Sequence, residues 1–554
     1  MYIRDMWRIY LFIVFLLIMI FSTYCSSVNE TVFVNTNKTK LKILGIFGHL
    51  GKSHFDVFKP LLQELAHRGH EITVISYFPR TDDAKKKEPL PNYKDIDLVD
   101  PEVGVYVNII DLQQISHSFF GPVKDILMLK AMADFACNTG LRNPAVTELL
   151  QSDEKFDVIL TENFNTDCFL GFIHHFKTPY LALSSHQIMP WTNEDMGNED
   201  NPSYIPNIFI GLTRPMDFFN RMTNTVTLLM YKLVYEYWFR PAHQIIANEI
   251  FGPDLPKLKK IAQQSSALLV NTHSSLHGSR PQLPNVVEIG GIHIPSRINP
   301  LPKDIAEFLD SAHEGALFFS LGSMIKAMTM PQKKLDAILK VLDSIPRKVI
   351  WKWEIDELPH KMDNVITKKW LPQFAVMNHP NIKCYLGHGG LLGLSEAVYV
   401  GLPIILMPMY GDQFHNSAAA KARGVAVVLS FNDLSEQSLR YALDTCFNNT
   451  SYRENAQKLS KAYRDRPAMP LETAIWWTEY IARGNGNSYL RSEGADLLWY
   501  QYYLIDVALV SIIVSTALIY MFFRLINLLL SLFSVVKGKV ESQTGKKSKW
   551  EKKD

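Results

Sequence analysis

The sequence predicts two α/β domains, each built on a doubly wound parallel sheet, which face each other across a cleft and precede a membrane-spanning helix. A chain of 554 residues is too long for a single hydrophobic core. Short apolar runs alternate with amphipathic stretches in both halves, which is typical of βαβ units. Near the C-terminus, residues 503–523 are apolar apart from Asp506 and a few hydroxyl groups, and they are long enough to cross a bilayer.

The first half is predicted to hold a parallel sheet with strands at residues 41–47, 71–76, 156–161 and 179–184, and a helix at 55–68. Residues 191–251 are irregular, aromatic and rich in methionine, so we expect them to pack as helices and to wall an apolar pocket.

The alternation of strand and helix restarts in the second half, with strands predicted at residues 316–321, 348–352, 382–386 and 403–407. The proline-rich residues 281–302 are predicted to link an N-terminal domain, 27–280, to a C-terminal domain, 303–490. Ligands of such sheets bind outside the carboxyl ends of the strands.

Both ends of the chain carry targeting signals. Residues 1–26 predict a secretory signal peptide, since basic residues precede an apolar run and a small polar exit; an uncleaved N-terminal anchor is the alternative. Residues 537–554 hold seven lysines against three acidic residues, which predicts a cytoplasmic tail and a single-pass type I protein. This tail favours retention in the endoplasmic reticulum membrane, with both domains lumenal.

Composition narrows the range of partners. The chain is 47% hydrophobic and 20% charged with a net charge of +2, which gives no support to nucleic acid as a partner. Cys137, Cys168, Cys384 and Cys446 have no metal-binding spacing, and we expect no disulfide framework. Four sequons fit glycan acceptors of a lumenal protein, at Asn29, Asn37, Asn448 and Asn449.

The strongest chemical signal begins at His388, where a predicted strand ends, Gly389 and Gly390 form a turn, and a helix starts. Free N–H groups at a helix N-terminus bind anions, most naturally a diphosphate here. His388 can donate a further hydrogen bond, and Glu396, two turns along the helix, can accept from ribose hydroxyls. A core histidine in a structural turn is the alternative for His388 alone.

Two further pairs of residues suit a nucleotide sugar. Asp412 and Gln413 follow the next predicted strand and offer the acceptors and donors that sugar hydroxyls need. Trp370 offers a flat ring for base stacking, and Gln373 an amide for the edge of the base.

These motifs together resemble the signature of UDP-glycosyltransferases in order and spacing. Gly51-Lys-Ser-His54 and Phe164-Asn-Thr-Asp-Cys168 look most like the insect branch of that family. The matching segments are Trp370-Leu-Pro-Gln373, His379-Pro380, His388-Gly-Gly390, Glu396-Ala397, Gly401-Leu-Pro403 and Asp412-Gln413. The resemblance implies a GT-B fold, with the acceptor on the N-terminal domain and the UDP-sugar on the C-terminal domain. It also implies an inverting transfer of a hexose, with glucose expected from the insect likeness, to a hydroxyl of a small lipophilic compound in detoxification or in hormone or pigment conjugation.

By that resemblance, Trp370 stacks on uracil, Gln373 contacts the nucleoside and Glu396 holds the ribose. Ser323 and His388 would meet the phosphates, and Asp412 and Gln413 the sugar. Gly387 stands where the family usually has threonine or serine, and Leu392 where many vertebrate members have asparagine, so two phosphate contacts are missing or replaced.

The proposed base is His54, because inversion requires one group to take the proton of the acceptor and imidazole titrates in the right range. His54 could instead cap the following helix, and His49 is the other histidine of the same loop. Glu162 or Asp167 would orient the imidazole, with Glu162 favoured by its position. No metal is expected, since helix-end amides and His388 can carry the leaving diphosphate.

Two other functions are compatible with the sequence: a membrane-anchored binding protein for hydrophobic ligands without turnover, and a transferase that acts on membrane lipid. A pure binding protein has no need of His54 and the Asp412-Gln413 pair, and both are present. The oligomeric state, whether homo- or hetero-oligomer, stays open.

Overall fold

The computed structural model describes residues 40–99, 107–113, 115, 121–355, 358, 360, 362–486 and 488–550. The predicted signal peptide and the sequons at Asn29 and Asn37 lie outside these residues, as do the last four residues of the tail.

The strands are β1 (Lys42–Phe47), β2 (Glu71–Ser76), β3 (Tyr93–Asp97), β4 (Ile110–Asp111), β5 (Val158–Glu162), β6 (Tyr180–Ser184), β7 (Ala267–Val270), β8 (Val286–Glu288), β9 (Ala316–Ser320), β10 (Ile325–Lys326), β11 (Lys348–Lys352), β12 (Val365–Lys368), β13 (Ile382–Gly387), β14 (Ile404–Leu406) and β15 (Ala426–Val428). They form a seven-stranded parallel sheet in the order β3-β2-β1-β5-β6-β7-β8 and a six-stranded parallel sheet in the order β12-β11-β9-β13-β14-β15. The prediction of two doubly wound domains is confirmed.

The helices are α1 (Lys52–His67), α2 (Asp82–Lys87), α3 (Gly121–Leu141), α4 (Pro144–Gln151), α5 (Gly171–Phe176), α6 (Pro190–Met196), α7 (Phe218–Val234), α8 (Arg240–Phe251), α9 (Leu258–Ala262), α10 (Ser274–His277), α11 (Lys303–Asp310), α12 (Gln332–Ser344), α13 (Gln373–Met377), α14 (Leu391–Val400), α15 (Gln413–Ala422), α16 (Glu436–Asn448), α17 (Thr450–Arg464), α18 (Pro470–Arg483), α19 (Trp499–Tyr502) and α20 (Ile505–Trp550). A π-helical turn, Tyr235–Phe239, joins α7 to α8.

The order of burial along the strands explains why they form the centre of each domain. Every residue of β5, β6, β7 and β9 is buried, as a parallel strand with both faces covered requires. On α1, Phe55, Phe58, Leu62 and Leu65 recur at helical spacing and are buried in the core of the first sheet. A strand that is apolar on both faces is buried only in a sheet that is covered on both sides. The apolar runs in the sequence therefore predict that these strands lie at the centre of each domain.

The chain returns to the first domain after it has completed the second. Ala474, Ile475 and Ile481 of α18 are part of the core around the first sheet. At the surface, Arg68 of α1 pairs with Glu472 at 2.6 Å. The predicted C-terminal domain of 303–490 is therefore wrong at its end, because an amphipathic helix pattern reveals an apolar face but not the core that receives it.

Two disulfides correct the expectation of no disulfide framework. Cys137 of α3 is bonded to Cys168, and Cys384 of β13 to Cys446 of α16. The partners are 31 and 62 residues apart, so no local spacing signals either bond. Both bonds fit an oxidising compartment.

The two domains are joined by direct contacts as well as by the linker. β4, from the first half of the chain, pairs in parallel with β10, from the second. The amide of Gln187 lies 2.9 Å from Nε2 of His415. These contacts hold the carboxyl ends of the two sheets on opposite sides of one cleft.

The C-terminal apolar run forms α20, in which Ile505–Ser542 has the length and composition of a membrane span and is not buried. This helix is compatible with the predicted single-pass anchor. Leu504, immediately before it, has a φ of 53°, so the chain turns between α19 and α20 and the two helices are not continuous.

We expect Ile475→Ala to weaken the first domain, because the cavity it leaves in the first core should cost about 2–5 kcal/mol. In hydrogen exchange, the amides of β5 and β6 should lose protection while those of β13 and β14 keep theirs. Ile355→Ala, the same change at a side chain that is 40% exposed, is the control and should leave both sheets unchanged. Loss confined to the second sheet would contradict this assignment of α18.

Candidate active site

A cavity of about 530 Å³ lies between the domains, at the carboxyl ends of the strands. From the first domain its wall includes His54, Leu129, Phe164, His186 and Phe209, and from the second Ser323, Lys352, Trp370, Gln373, Tyr385, His388, Glu396, Asp412 and Gln413. The structure thus brings nearly all of the predicted site residues to one cleft.

His54 lies at the point where the first sheet meets this cavity. It is the third residue of α1, whose N-cap is Gly51, so the alternative role as a helix cap is wrong. Its Nδ1 lies 2.7 Å from Oε1 of Glu162, at the end of β5. Ser185, just after β6, donates to the same carboxylate oxygen at 2.7 Å and lies 2.9 Å from Nδ1. An imidazole held through Nδ1 presents Nε2 as the free acceptor.

Burial sets the charge of this pair. It lowers the pKa of His54 to about 3, so the imidazole is neutral before it receives a proton. Burial also raises the pKa of Glu162, whose side chain is only 2% exposed against 21% for His54. The carboxyl group therefore lies where it fixes the ring and can stabilise the imidazolium that forms during proton transfer.

Asp167, the alternative partner of His54, belongs to a different network. Its Oδ1 accepts from the hydroxyl of Tyr235 at 2.7 Å, and its Oδ2 from Nε of Arg240 at 2.9 Å. Arg240 also binds Asp195, so Asp167 is one member of a buried ion cluster that joins α6, α8 and the turn after β5. The geometry separates the two candidates: Glu162 contacts His54, and Asp167 stabilises the fold.

In the second domain, glycines create the space that holds His388. A Cβ added to Gly390 would lie 2.4 Å from Nε2 of His388, and one on Gly322 would lie 2.6 Å from its Cε1. Gly322 and Gly389 also have positive φ angles, 80° and 89°. Burial, together with the charge of Lys352, lowers the pKa of His388 to about 4. The neutral ring sits beside the N-terminus of α14, whose N-cap is Gly390.

The predicted nucleoside residues also meet. The amide of Gln373, at the start of α13, donates to Glu396 of α14. Burial raises the pKa of Glu396 to about 7. Trp370 is 62% exposed at the rim of the cavity, with Nζ of Lys52 lying 5.4 Å from its ring centre. An exposed ring beside a buried acid–amide pair offers both a stacking surface and polar partners for a nucleoside.

Asp412 and Gln413 lie at the start of α15, and their roles differ. Oε1 of Gln413 accepts from the backbone N–H of Met409 at 2.9 Å, so half of its amide is used to shape the turn. Asp412 accepts from Asn416 at 2.9 Å, and burial raises its pKa to about 6. Asn416 also donates to the backbone of Gly389, which joins this turn to the His388 loop.

Comparison with known proteins agrees with this geometry. Residues 47–540 match the family model described as "UDP-glucoronosyl and UDP-glucosyl transferase". The chain belongs to the UDP-glycosyltransferase family. It is 38% identical to "UDP-glycosyltransferase UGT5" of Dactylopius coccus, over 86% of this chain and 90% of that protein. It is 31% identical to "UDP-glucuronosyltransferase 2A3" of Mus musculus, over 82% of this chain and 86% of that protein.

Solved structures share the fold. The calicheamicin glycosyltransferase CalG4 matches 80% of this chain and 99% of its own, with a TM-score of 0.53 and 16% identity. A UDP-glucosyltransferase from Polygonum tinctorium matches 81% of this chain and 99% of its own, with a TM-score of 0.53 and 15% identity. The fold of this UDP-glycosyltransferase is GT-B, and the enzyme transfers a sugar from a UDP-sugar to an acceptor.

The structure supplies a reason for the departure at Gly387. A Cβ on Gly387 would lie 2.3 Å from the hydroxyl oxygen of Tyr385, and one on Gly393 would lie 2.6 Å from the same atom. The phenol of Tyr385 therefore occupies the space in which a threonine or serine side chain would stand at position 387. Tyr385 also lines the cavity, so a hydroxyl is still present at this point of the site.

Sequence reasoning missed Ser185 and His186. The ring centre of His186 lies 5.5 Å from that of His54, and the ring centre of His49 lies 4.2 Å from it. Ser185 and His186 both follow β6, which pairs with β5 in the sheet. The rule that ligands meet the carboxyl ends of strands could have selected them.

Asn448 and Asn449, the sequons within the described chain, are exposed where α16 meets α17.

We expect Glu162→Gln to lower kcat for sugar transfer by roughly a hundredfold to ten-thousandfold, because the neutral amide cannot stabilise the imidazolium of His54. Steady-state kinetics with a UDP-sugar would measure this. In contrast, Asp167→Asn should mainly lower the unfolding temperature, since Arg240 loses a buried partner. A larger loss of kcat at Asp167 than at Glu162 would reverse the assignment.

Proposed function

We propose that this enzyme transfers glucose from UDP-glucose, with inversion, to a hydroxyl group of a small lipophilic acceptor. The observation that supports this most directly is the His54–Glu162 contact, which faces the His388 turn and the Trp370–Gln373–Glu396 group within one cavity. A base on one wall and a nucleotide-binding set on the other suit direct displacement at an anomeric carbon.

In this mechanism, Nε2 of His54 takes the proton of the acceptor hydroxyl while the oxygen attacks the anomeric carbon. The bond between that carbon and the diphosphate oxygen breaks on the opposite side, and UDP leaves with the bonding electrons. Glu162 stabilises the protonated imidazole. The N-terminal amides of α14 and the ring of His388 face the diphosphate as its charge increases.

The walls of the cavity support a lipophilic acceptor. On the His54 side, Leu129 and Met132 of α3, Phe164, Met189 and Phe209 line the space. Apolar walls with a few placed polar groups are typical of sites for small hydrophobic molecules. The family match supports a UDP-sugar, and a Dactylopius coccus relative that is 36% identical, "UDP-glucosyltransferase 2", favours glucose.

For the leaving diphosphate we propose that no metal is required. Lys352, at the end of β11, is buried and lines the cavity close to His388, so a cation of the protein can offset phosphate charge. Among the described residues, no group of three or more His, Cys, Asp or Glu side chains could hold a metal ion.

We also propose that the enzyme resides in the endoplasmic reticulum membrane with its domains lumenal, where it conjugates foreign compounds, hormones or pigments. The C-terminal helix and the lysine-rich tail support the topology, and the two disulfides support an oxidising lumen. A catalytically silent binding protein and a lipid-directed transferase are the rival functions. An intact base with its carboxylate partner favours turnover.

The first test compares the wild type with His54→Ala in microsomes supplied with UDP-[14C]glucose and a panel of phenols, flavonoids and steroids. We expect label on at least one acceptor with the wild type and a loss of roughly a hundredfold to ten-thousandfold with the variant. Binding of UDP should be unchanged, because His54 lies on the acceptor side. No transfer by the wild type, also with UDP-glucuronate, UDP-galactose and UDP-N-acetylglucosamine, would favour the binding protein.

A second test concerns the hydroxyl at the phosphate turn. Tyr385→Phe removes the phenol oxygen and should raise KM for the UDP-sugar roughly tenfold, the value of one hydrogen bond to a charged group. Gly387→Thr alone should also impair the enzyme, because its Cβ meets that oxygen at 2.3 Å. A phenylalanine ring would still block this Cβ, because Cζ of Tyr385 lies 2.5 Å from it. The double variant therefore combines Gly387→Thr with Tyr385→Val, which removes the ring, and it should recover affinity because the threonine hydroxyl then has room. Additive losses in the double variant would contradict this exchange of hydroxyl groups.

A further inference from the structure

One face of α7 exposes a stripe of apolar side chains. Asp217 begins the helix by accepting from the N–H of Asn220 at 2.8 Å. Five residues of the helix are at least half exposed and, at 3.6 residues per turn, fall within an arc of roughly 80°: Phe218, Met222, Val226, Leu229 and Leu233. Phe219 lies at the edge of this arc, and Tyr237 and Trp238 of the π-helical turn continue the apolar surface past the end of the helix.

The opposite face of α7 accounts for the fold contacts of this helix. Asn224 is buried and bonds the backbone around Asn207, and Tyr231 stacks on Phe209 at 4.1 Å. Burying this polar and aromatic face leaves the apolar stripe outside the protein core. Contiguous exposed apolar surface of this kind marks an interaction site.

The charged residues of α7 indicate what kind of partner binds the stripe. Within Phe218–Val234 there is no acidic side chain; Arg221 is exposed beside the stripe, whereas Lys232 is largely buried and paired with Asp200. An amphipathic helix with an apolar face and a basic residue beside it is typical of segments that lie in the interface of a bilayer.

The path of the chain brings the start of the predicted membrane span to this side of the molecule. Before the membrane span, residues 491–496 dock on the first domain: Nε of Arg491 donates to the backbone of Gln263 at 2.9 Å, and the amide of Gln263 donates to the backbone of Ala495 at 2.6 Å. Gly197, at the end of α6, is so close that a Cβ would lie 2.6 Å from the N atom of Ala495.

The start of the span lies beside α7 itself. Lys232 pairs with Asp200 at 2.7 Å, and Tyr502 and Tyr503, just before α20 begins, lie near this ion pair. Tyr502 also packs on the docked segment, since a Cβ on Gly494 would lie 3.3 Å from its Cε2. Just before the span, the rings of Trp499 and Tyr500 lie 6.0 Å apart and those of Tyr502 and Tyr503 5.1 Å apart; aromatic residues next to a span typically sit at the level of lipid headgroups. One end of α7 therefore lies close to the start of the predicted membrane span.

We propose that α7 is a second membrane contact: it lies in the interface of the bilayer that α20 spans, with the stripe Phe218, Met222, Val226, Leu229 and Leu233 immersed among the acyl chains. The first domain, rather than the second, then rests on the membrane. The proposal depends on the exposed face and on the position of the anchor, and it holds whichever sugar or acceptor the enzyme uses.

The test uses the full chain with Cys25→Ser, reconstituted in phosphatidylcholine vesicles. Single cysteines replace Val226 and Leu233, and each is labelled with an environment-sensitive fluorophore. Tyr441→Cys is the matched control, at a side chain 68% exposed on α16 of the second domain. Lipids that carry a nitroxide quencher near the top of the acyl chain are then added to the vesicles. Because all three substituted side chains are exposed, the three variants should unfold at the same temperature. Measuring these temperatures excludes misfolding.

We expect quenching of the label at 226 and at 233, with a blue-shifted emission, and neither effect at 441. Equal, water-like emission at all three positions would overturn the proposal. So would shielding of 226 and 233 without lipid quenching and with energy transfer between labelled copies, since the stripe would then bind a second copy of the chain.

Discussion

The contact between His54 and Glu162 depends on the pairing of β1 with β5, and much of the first domain serves to maintain that pairing. The register Ile43↔Val158 to Ile46↔Thr161 brings the carboxyl ends of both strands to the same edge of the sheet. Glu162 ends β5 inside this edge, while His54 is reached by a glycine loop and the first turn of α1. Ser185, from the adjacent β6, completes the group by bonding the same carboxylate oxygen. Three neighbouring strands thus fix one imidazole, and burial keeps it neutral.

Opposite this imidazole, the second domain places side chains that fit together only because glycines lie next to them. His388 fits only because Gly322 and Gly390 lack side chains, and the phenol of Tyr385 fits only because Gly387 and Gly393 do. At Gly387 the chain departs from the usual family residue, yet a hydroxyl group remains in the same space. The phenol oxygen of Tyr385 therefore lies where a side chain at position 387 would otherwise stand.

After it has completed the second domain, the chain returns to the first. α18 packs into the first core, and residues 491–496 dock beside α6 before the membrane span begins. As a result the anchor leaves the molecule on the side of the proposed acceptor-binding domain. In an enzyme with lipophilic acceptors, the proposed acceptor-binding domain would then face the membrane, where such compounds accumulate.

Much of this was available from the amino-acid sequence. Buried parallel strands must be apolar throughout, so β1, β5, β6, β9 and β13 could be located, and with them the two-domain architecture. The glycine turn at His388 and the motifs around Trp370 and Asp412 selected the second wall of the cavity, because tight turns and helix N-termini need particular residues. The sequence also selected His54 for the cleft, although this residue lies in the first turn of α1 and not in the loop before it. It located the apolar C-terminal helix as well.

Tertiary structure decided the rest. Choosing between Glu162 and Asp167 required knowing that Arg240, from a distant helix, pairs with Asp167. The two disulfides, the location of the Tyr385 hydroxyl, the proximity of His186 to His54 and the packing of α18 on the first domain depend equally on contacts between segments far apart in the chain. Local patterns report which face of an element is apolar and where a turn must bend, since those follow from neighbouring residues. They cannot report which distant surface covers that face, because that is fixed only when the whole core packs.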